Sequence, residues 1–157
     1  MKALLLIFLS SVILYSCSTD KKNISDNQVR ELVDATINAI ELDAISTLQD
    51  IATGKSPYKD VDNASLYVFV FNTDLVTVAH PNNKFMTGKS KKGIPDINGK
   101  LFRDEILDRA LIDGSGWVDY HFENPNSKEI QKKKTYFVLT TGRNGEKYIV
   151  CCGKYVD

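Results

Sequence analysis

An uncharged run from Leu4 to Tyr15, behind Lys2, is followed by a polar stretch from Ser18 to Asn23. The run is shorter than the about 20 apolar residues that a permanent membrane span needs, and its basic start and apolar centre have the form of a secretory signal. Further on, Val29, Val33, Ile37, Ile40, Ala44, Leu48 and Ile51 recur at steps of three and four, which is one face of a helix. Ser25 and Gln28 have capping-box spacing, Ile24 and Val29 are placed for a hydrophobic staple, and Gly54 supplies the stop. At about 1.5 Å per residue this helix is roughly 40 Å long. That exceeds what the core of such a domain requires and predicts a first half extending beyond the domain.

The pattern then changes to a period of two. In Leu66 to Phe71, Leu66, Val68 and Val70 share one face and Tyr67, Phe69 and Phe71 the other, so both faces are apolar. That predicts a central strand, with the helix on one side and loops or a pocket on the other. Asn72 to Asp74 turn the chain into a return strand, Val76 to His80, which Pro81 ends. Residues 81–100 are rich in Asn, Lys, Gly and Pro and read as a long loop able to cover a pocket. Phe102, Ile106, Leu107, Ala110 and Leu111 mark a short helix with Glu105 and Arg109 as a surface pair. Three more strands follow, at Gly116 to Glu123, Lys133 to Thr141 and Lys147 to Gly153.

Charge adds one exclusion. The chain has 20 basic and 20 acidic residues, and removing residues 1–16 takes away one lysine and no acid. No field suited to nucleic acid is present. Of the cysteines beyond that segment, Cys151 and Cys152 are neighbours whose side chains point to opposite faces of a strand, and they read as small buried residues. No C-x-x-C, H-E-x-x-H, G-x-S-x-G, P-loop or G-x-G-x-x-G occurs, so nothing nominates an enzyme. Asp119, His121 and Glu123 alternate on one strand face; a solvated face and a metal site are both compatible with that spacing, and no metal is assigned.

Leu14, Tyr15, Ser16 and Cys17 resemble the bacterial lipobox, with a bulkier residue than usual at Tyr15. The resemblance implies cleavage after Ser16, acylation of Cys17 (palmitate-type chains) and anchoring to a membrane outside the cytoplasm, facing the periplasm or the cell exterior. Residues 1–16 are then the lipoprotein signal peptide, 17–24 a lipidated tether, and 25–157 a single domain.

The order of that domain is helix, two strands, loop with helix, three strands. Together with Leu66 to Phe71, Ala79-His80-Pro81, Gly88-Lys89, Asp96, Asn98-Gly99-Lys100, Gly116-Trp117-Val118-Asp119-Tyr120, Asn124-Pro125, Lys133 to Tyr136, Gly153 and Tyr155, it is similar to the PAS-like single Cache domain, type 2, an extracytoplasmic sensor module. The resemblance implies an α+β fold: a long N-terminal helix packed on a five-stranded antiparallel sheet, with a short helix in the connecting loop. Asp74-Leu75 departs from the family's usual Asp-Gly turn, and Cys151 and Cys152 replace small residues.

The resemblance also implies a small extracytoplasmic ligand, such as a short organic acid, held between sheet and loops. Candidate ligand-binding residues are His80, Trp117, Tyr120, Lys133 and Tyr136, with no catalytic residue and no cofactor. Lys133 is either the anion's basic partner or a solvated member of the Lys132 to Lys134 run. The tyrosines and Trp117 are either pocket wall or core. No kinase, chemoreceptor or cyclase segment follows Asp157, so a separate receptor or transporter protein is expected to read the domain. The other reading is a structural or adaptor lipoprotein that keeps the fold and binds a protein partner only.

Overall fold

The computed structural model describes residues 23–156. The expected signal peptide and Cys17 lie outside them. Helix α1 (Asp26–Thr53) begins at Ser25, whose hydroxyl accepts from the Gln28 N–H while the Gln28 side chain accepts from the Ser25 N–H, the expected capping box. It ends at Gly54, which takes a left-handed φ of 73° that any side chain would strain.

Strands β1 (Val68–Asn72), β2 (Thr77–Ala79), β3 (Ser115–Glu123), β4 (Ile130–Thr141) and β5 (Lys147–Tyr155) form one antiparallel sheet in the order β2-β1-β5-β4-β3. Helix α2 (Phe102–Asp113) lies between β2 and β3 in the chain, after a short 3-10 turn at Lys84–Met86. The fold is the α+β architecture expected, two helices on a five-stranded antiparallel sheet.

The sheet separates two cores. On one face α1 buries Val29, Val33, Thr36, Ile40, Ala44, Thr47 and Ile51 against Leu66, Val68, Val70, Tyr136, Tyr148, Val150 and Cys152. Each large aliphatic side chain fully buried there contributes about 1.5–3 kcal/mol, so truncating Ile40 to alanine is expected to cost about 2–5 kcal/mol. On the other face Phe102, Ile106 and Ala110 of α2 pack on Tyr67, Phe69, Phe71, Leu75, Val118, Tyr120, Phe137, Ile149 and Cys151. The double-faced pattern of Leu66 to Phe71 therefore has the cause inferred from it, cover on both sides.

Two features differ from expectation. The first half of α1 does not extend away: Val29 and Val33 are fully buried, and the Asp26 carboxylate meets Lys134 Nζ at 2.7 Å and Lys154 Nζ at 2.9 Å. These two lysines, hydrogen-bonded to it, hold the Asp26 carboxyl below its usual range. Secondly, α1 breaks at Asp43 (φ −151°, ψ 89°), whose carboxylate accepts from the Ser46 N–H and so restarts the helix as an internal cap. The β1–β2 turn falls where expected and, without the Asp-Gly pair, is built by Asn72. Its side-chain oxygen accepts from the N–H groups of Asp74 and Val76, while Leu75 takes a left-handed φ of 56° and buries its side chain completely.

Candidate functional site

Strand alternation decides which residues can meet. In β3 the even positions Val118 and Tyr120 point to the α2 face, and in β4 the odd positions Lys133, Thr135 and Phe137 do so. On that face lies a cavity of about 10 Å³, lined by Tyr67 just before β1, Phe69 and Phe71 of β1, His80 after β2, Met86 of the 3-10 turn, Phe102 and Arg103 of α2, and Tyr120 and Phe122 of β3. Space of that size holds about one water molecule. Aromatic rings supply most of the wall, and Phe102 stacks on Tyr120 with centroids 3.7 Å apart and planes within 5°.

Of the five residues expected from sequence, His80 and Tyr120 line this cavity and Lys133 lies immediately behind its wall. Trp117 and Tyr136 do not reach it. They stand on the α1 face, their rings tilted by 41° with centroids 5.1 Å apart and covered by the Arg30 guanidinium, 4.5 Å from the Tyr136 ring centre. The reason is arithmetic in the pleat: Trp117 is three residues from Tyr120, and Tyr136 three from Lys133, so within each pair the side chains leave opposite faces.

Lys133 is not a solvated member of its run. It has no exposed surface, whereas its neighbours turn outward, Lys132 to Asp119 at 3.0 Å and Lys134 to Asp26. The Lys133 amine donates to the Tyr67 hydroxyl at 2.8 Å and sits over the rings of Tyr67 at 4.0 Å, Tyr155 at 5.0 Å, Phe69 at 5.2 Å and Phe122 at 5.9 Å. It makes no ion pair among the described residues. Burial without a counter-charge disfavours the ammonium form, and the amine is pushed down to about 7.

His80 is held by local backbone geometry. Its Nδ1 accepts from the N–H groups of both Asn82 and Asn83 at 3.2 Å, in the turn that Pro81 begins. Those bonds need the Nδ1 lone pair, so the neutral ring carries its proton on Nε2 and has that N–H left to donate. Burial, followed by the nearby charges of Lys133 and Arg103, pushes the imidazole down to about 3, which keeps it neutral. Tyr120 is satisfied by Thr135 Oγ1 at 3.0 Å, and burial raises its phenol.

Arg103 was missed by sequence reasoning. It is only 6 % exposed, its Nη1 donates to the Ile94 carbonyl at 3.2 Å, its guanidinium lies 4.1 Å from the Phe102 ring centre, and its buried Nε has no partner. Burial depresses the guanidinium's pKa without bringing it into a range where charge is lost. The signal was present: Arg103, Ile106 and Ala110 are spaced along one helical face, so an arginine shares the apolar stripe of α2.

The loop that closes over this side is pinned by Asp96. Its carboxylate accepts from the N–H groups of Asn98 and Lys100 in its own turn and of His121 on β3, each at 2.9 Å. Burial alone would raise this carboxyl; the three backbone donors outweigh it and leave the pKa below the usual range. His121 and Asp119 are thereby engaged separately, His121 with Asn98 at 2.9 Å and Asp119 with Lys132. Cys151 and Cys152 are free thiols, buried on opposite faces of β5, and burial pushes Cys152 up to about 12. Thiols so poorly ionised are weak nucleophiles.

The arrangement offers charged and N–H groups with no carboxylate among the lining residues, which suits a small acceptor-rich species. No helix among the described residues is long and apolar enough to cross a membrane.

No curated protein matches the sequence. Among solved structures, the periplasmic sensor domain of a chemotaxis protein superposes with a TM-score of 0.68 at 26% identity, over 83% of this chain and 94% of that one. A Cache chemosensory domain, solved to explain carboxylic acid recognition, gives 0.66 at 21% identity over 83% and 92%. A methyl-accepting chemotaxis protein from Vibrio parahaemolyticus gives 0.57 at 14% identity over 83% and 80%. The latter two likenesses concern the fold alone. Single Cache domain 2 matches residues 2–157. With that match and the helix-backed five-stranded sheet, the chain belongs to the single Cache domain 2 family.

Proposed function

We propose that this protein is an extracytoplasmic sensor-type module that binds a small organic acid in the cavity between β1, β3 and α2. Residues 1–16 act as its signal peptide and Cys17 as its lipid-bearing residue, with residues 25–157 as the sensor domain and a separate receptor or transporter reading its state. One observation carries the ligand class. Two buried cationic side chains, Arg103 and Lys133, serve one cavity, and neither makes an ion pair among the described residues. An anionic ligand supplies the missing charge, and charge-assisted hydrogen bonds in an apolar surround are the strong kind.

The roles divide by position. Arg103 Nε and His80 Nε2 are the donors at the wall, Tyr67 relays Lys133 from behind it, and Phe69, Phe102, Tyr120 and Phe122 enclose an apolar tail. A space of about 10 Å³ admits acetate or propionate only if the wall yields. Met86 is the pliable part of that wall, an unbranched side chain on a short 3-10 turn.

The small cavity also supports a second reading, a lipoprotein that keeps the fold and binds a protein partner only. Leu42 and Ile45, 72% and 75% exposed around the α1 break, give that reading a surface. The two readings separate in a thermal-shift screen of residues 18–157 against acetate, propionate, pyruvate, larger acids, amino acids and the matching amides. A shift of several degrees for an acid and none for its amide supports the sensor reading. A cooperative melt that no compound moves overturns it in favour of the adaptor.

A further inference from the structure

The organic-acid site contains a group whose charge is free to change on binding, and this inference rests on the reading just given. Lys133 is enclosed on every side. Tyr67, just before β1, accepts its one hydrogen bond, Phe122 and Tyr120 face it from β3, and Cys151 and Tyr155 from β5, while Cys152 lies next to it on the sheet's other face. His80 and Arg103 are the titratable or charged groups on the cavity side. Its strand neighbours Lys132 and Lys134 turn to Asp119 and Asp26 on the outside. Among the described residues no carboxylate pairs with it. We propose that an organic anion entering the cavity becomes the missing counter-charge of Lys133, so that binding takes up a proton onto this amine and weakens as pH rises.

The proton balance assigns the uptake to one atom. A short carboxylic acid is already ionised above about pH 5 and brings no proton. His80, at about 3, is neutral throughout the neutral range. Arg103 keeps its charge. Tyr67, Tyr120, Tyr155 and the two thiols are raised by burial and stay protonated. Lys133 alone lies within reach, so the step is transfer of one proton from bulk water to Nζ, giving an ammonium beside the carboxylate. The cavity wall begins at the rings of Tyr67 and Phe69, 4.0 and 5.2 Å from Nζ. A unit negative charge just beyond them, in a poorly screened interior, favours the ammonium by more than a pKa unit on the scale of Coulomb's law.

The test is calorimetric titration of the folded protein with acetate, propionate and pyruvate at about pH 8, between the Lys133 value and the ordinary lysine value of about 10.4. Phosphate and Tris serve as buffers because their ionisation enthalpies differ. The expected result is a buffer-dependent heat equal to uptake of about half a proton or more per acid bound, and a Kd that weakens with rising pH above about pH 7, by up to about tenfold per pH unit. Lys133→Met is expected to abolish the uptake. If that variant does not fold, the pH series on the wild-type protein decides by itself. Binding with equal heats in both buffers and a flat Kd from pH 6 to 9 overturns the proton linkage and leaves the organic-acid reading standing. Absence of heat with every acid overturns both.

Discussion

The stem of Lys133 runs directly over the backbone of Gly153. A Cβ on residue 153 would lie 2.8 Å from Lys133 Cε and equally close to the Lys134 carbonyl, with Thr135 Oγ1 closer still. Gly153 is therefore what admits a lysine to the interior of the sheet, and its missing side chain is as much a part of the site as the amine. Gly153→Ala is expected to destabilise the protein by about 1–3 kcal/mol, the usual range for overpacking, and to displace Lys133 from Tyr67. Urea unfolding checks the first. Weaker acid binding than the stability loss explains checks the second.

Stability should also carry the signature of the buried amine. Lys133 is depressed from 10.5 to about 7 in the folded protein, so between these values the unfolded chain binds the additional proton. The lysine's contribution then improves with rising pH and is lost as pH falls through about 7, by up to about 1.4 kcal/mol per pH unit. Lys133→Met removes that dependence. The stability advantage of the variant over wild type should shrink between pH 7 and pH 9 in parallel urea titrations, and a constant gap would contradict a charged-to-neutral change at Lys133.

His80 permits a dissection by shape. Asparagine places an oxygen near the position of Nδ1, and glutamine places an amide N–H near that of Nε2. His80→Asn should keep the acceptor for Asn82 and Asn83 and hence the fold, yet weaken acid binding several-fold. His80→Gln should cost about 1–3 kcal/mol of stability by leaving two backbone donors without their partner. The reverse ranking in a combined melting and binding series would remove His80 from the ligand's contacts. For the wild-type ring, depressed to about 3, its contribution to stability is lost as pH falls from about 6.5 toward that value.

Asp96→Ala should loosen the loop over the cavity by removing the acceptor of three backbone N–H groups. Faster amide exchange at Asn98, Lys100 and His121, with the α1 face unchanged, is the expected outcome by hydrogen exchange. Because the Asp96 carboxyl is held below its usual range, this contribution is present above about pH 4 and lost as pH falls below it.

Much of this was legible in the chain. The capping box at Ser25, the two apolar faces of Leu66 to Phe71 and the order of elements all depend on local signals, and local signals survive in sequence. The five candidate residues divide between the two faces of the sheet, because a step of three along a strand changes face, which separates Trp117 from Tyr120 and Tyr136 from Lys133. The burial of Lys133 was not legible at all, since the run of Lys132 to Lys134 is uniform in composition and only the register with Gly153 and Tyr155 distinguishes its middle member. The break at Asp43 was masked by an apolar stripe that continues straight through it, although Asp43 and Ser46 have the spacing of a cap.

One peptide step separates the amine behind the cavity wall from the lysine that holds the start of α1. Lys133 is opposite Tyr155 on β5 and Lys134 opposite Lys154, and both members of the second pair grip Asp26. The two pairs leave the sheet in opposite directions from adjacent positions, as the ends of a short rocker leave its pivot. The residue proposed to meet the ligand's charge and the residues that fasten the first turn of α1 thus share one strand pair, on opposite faces and one position apart.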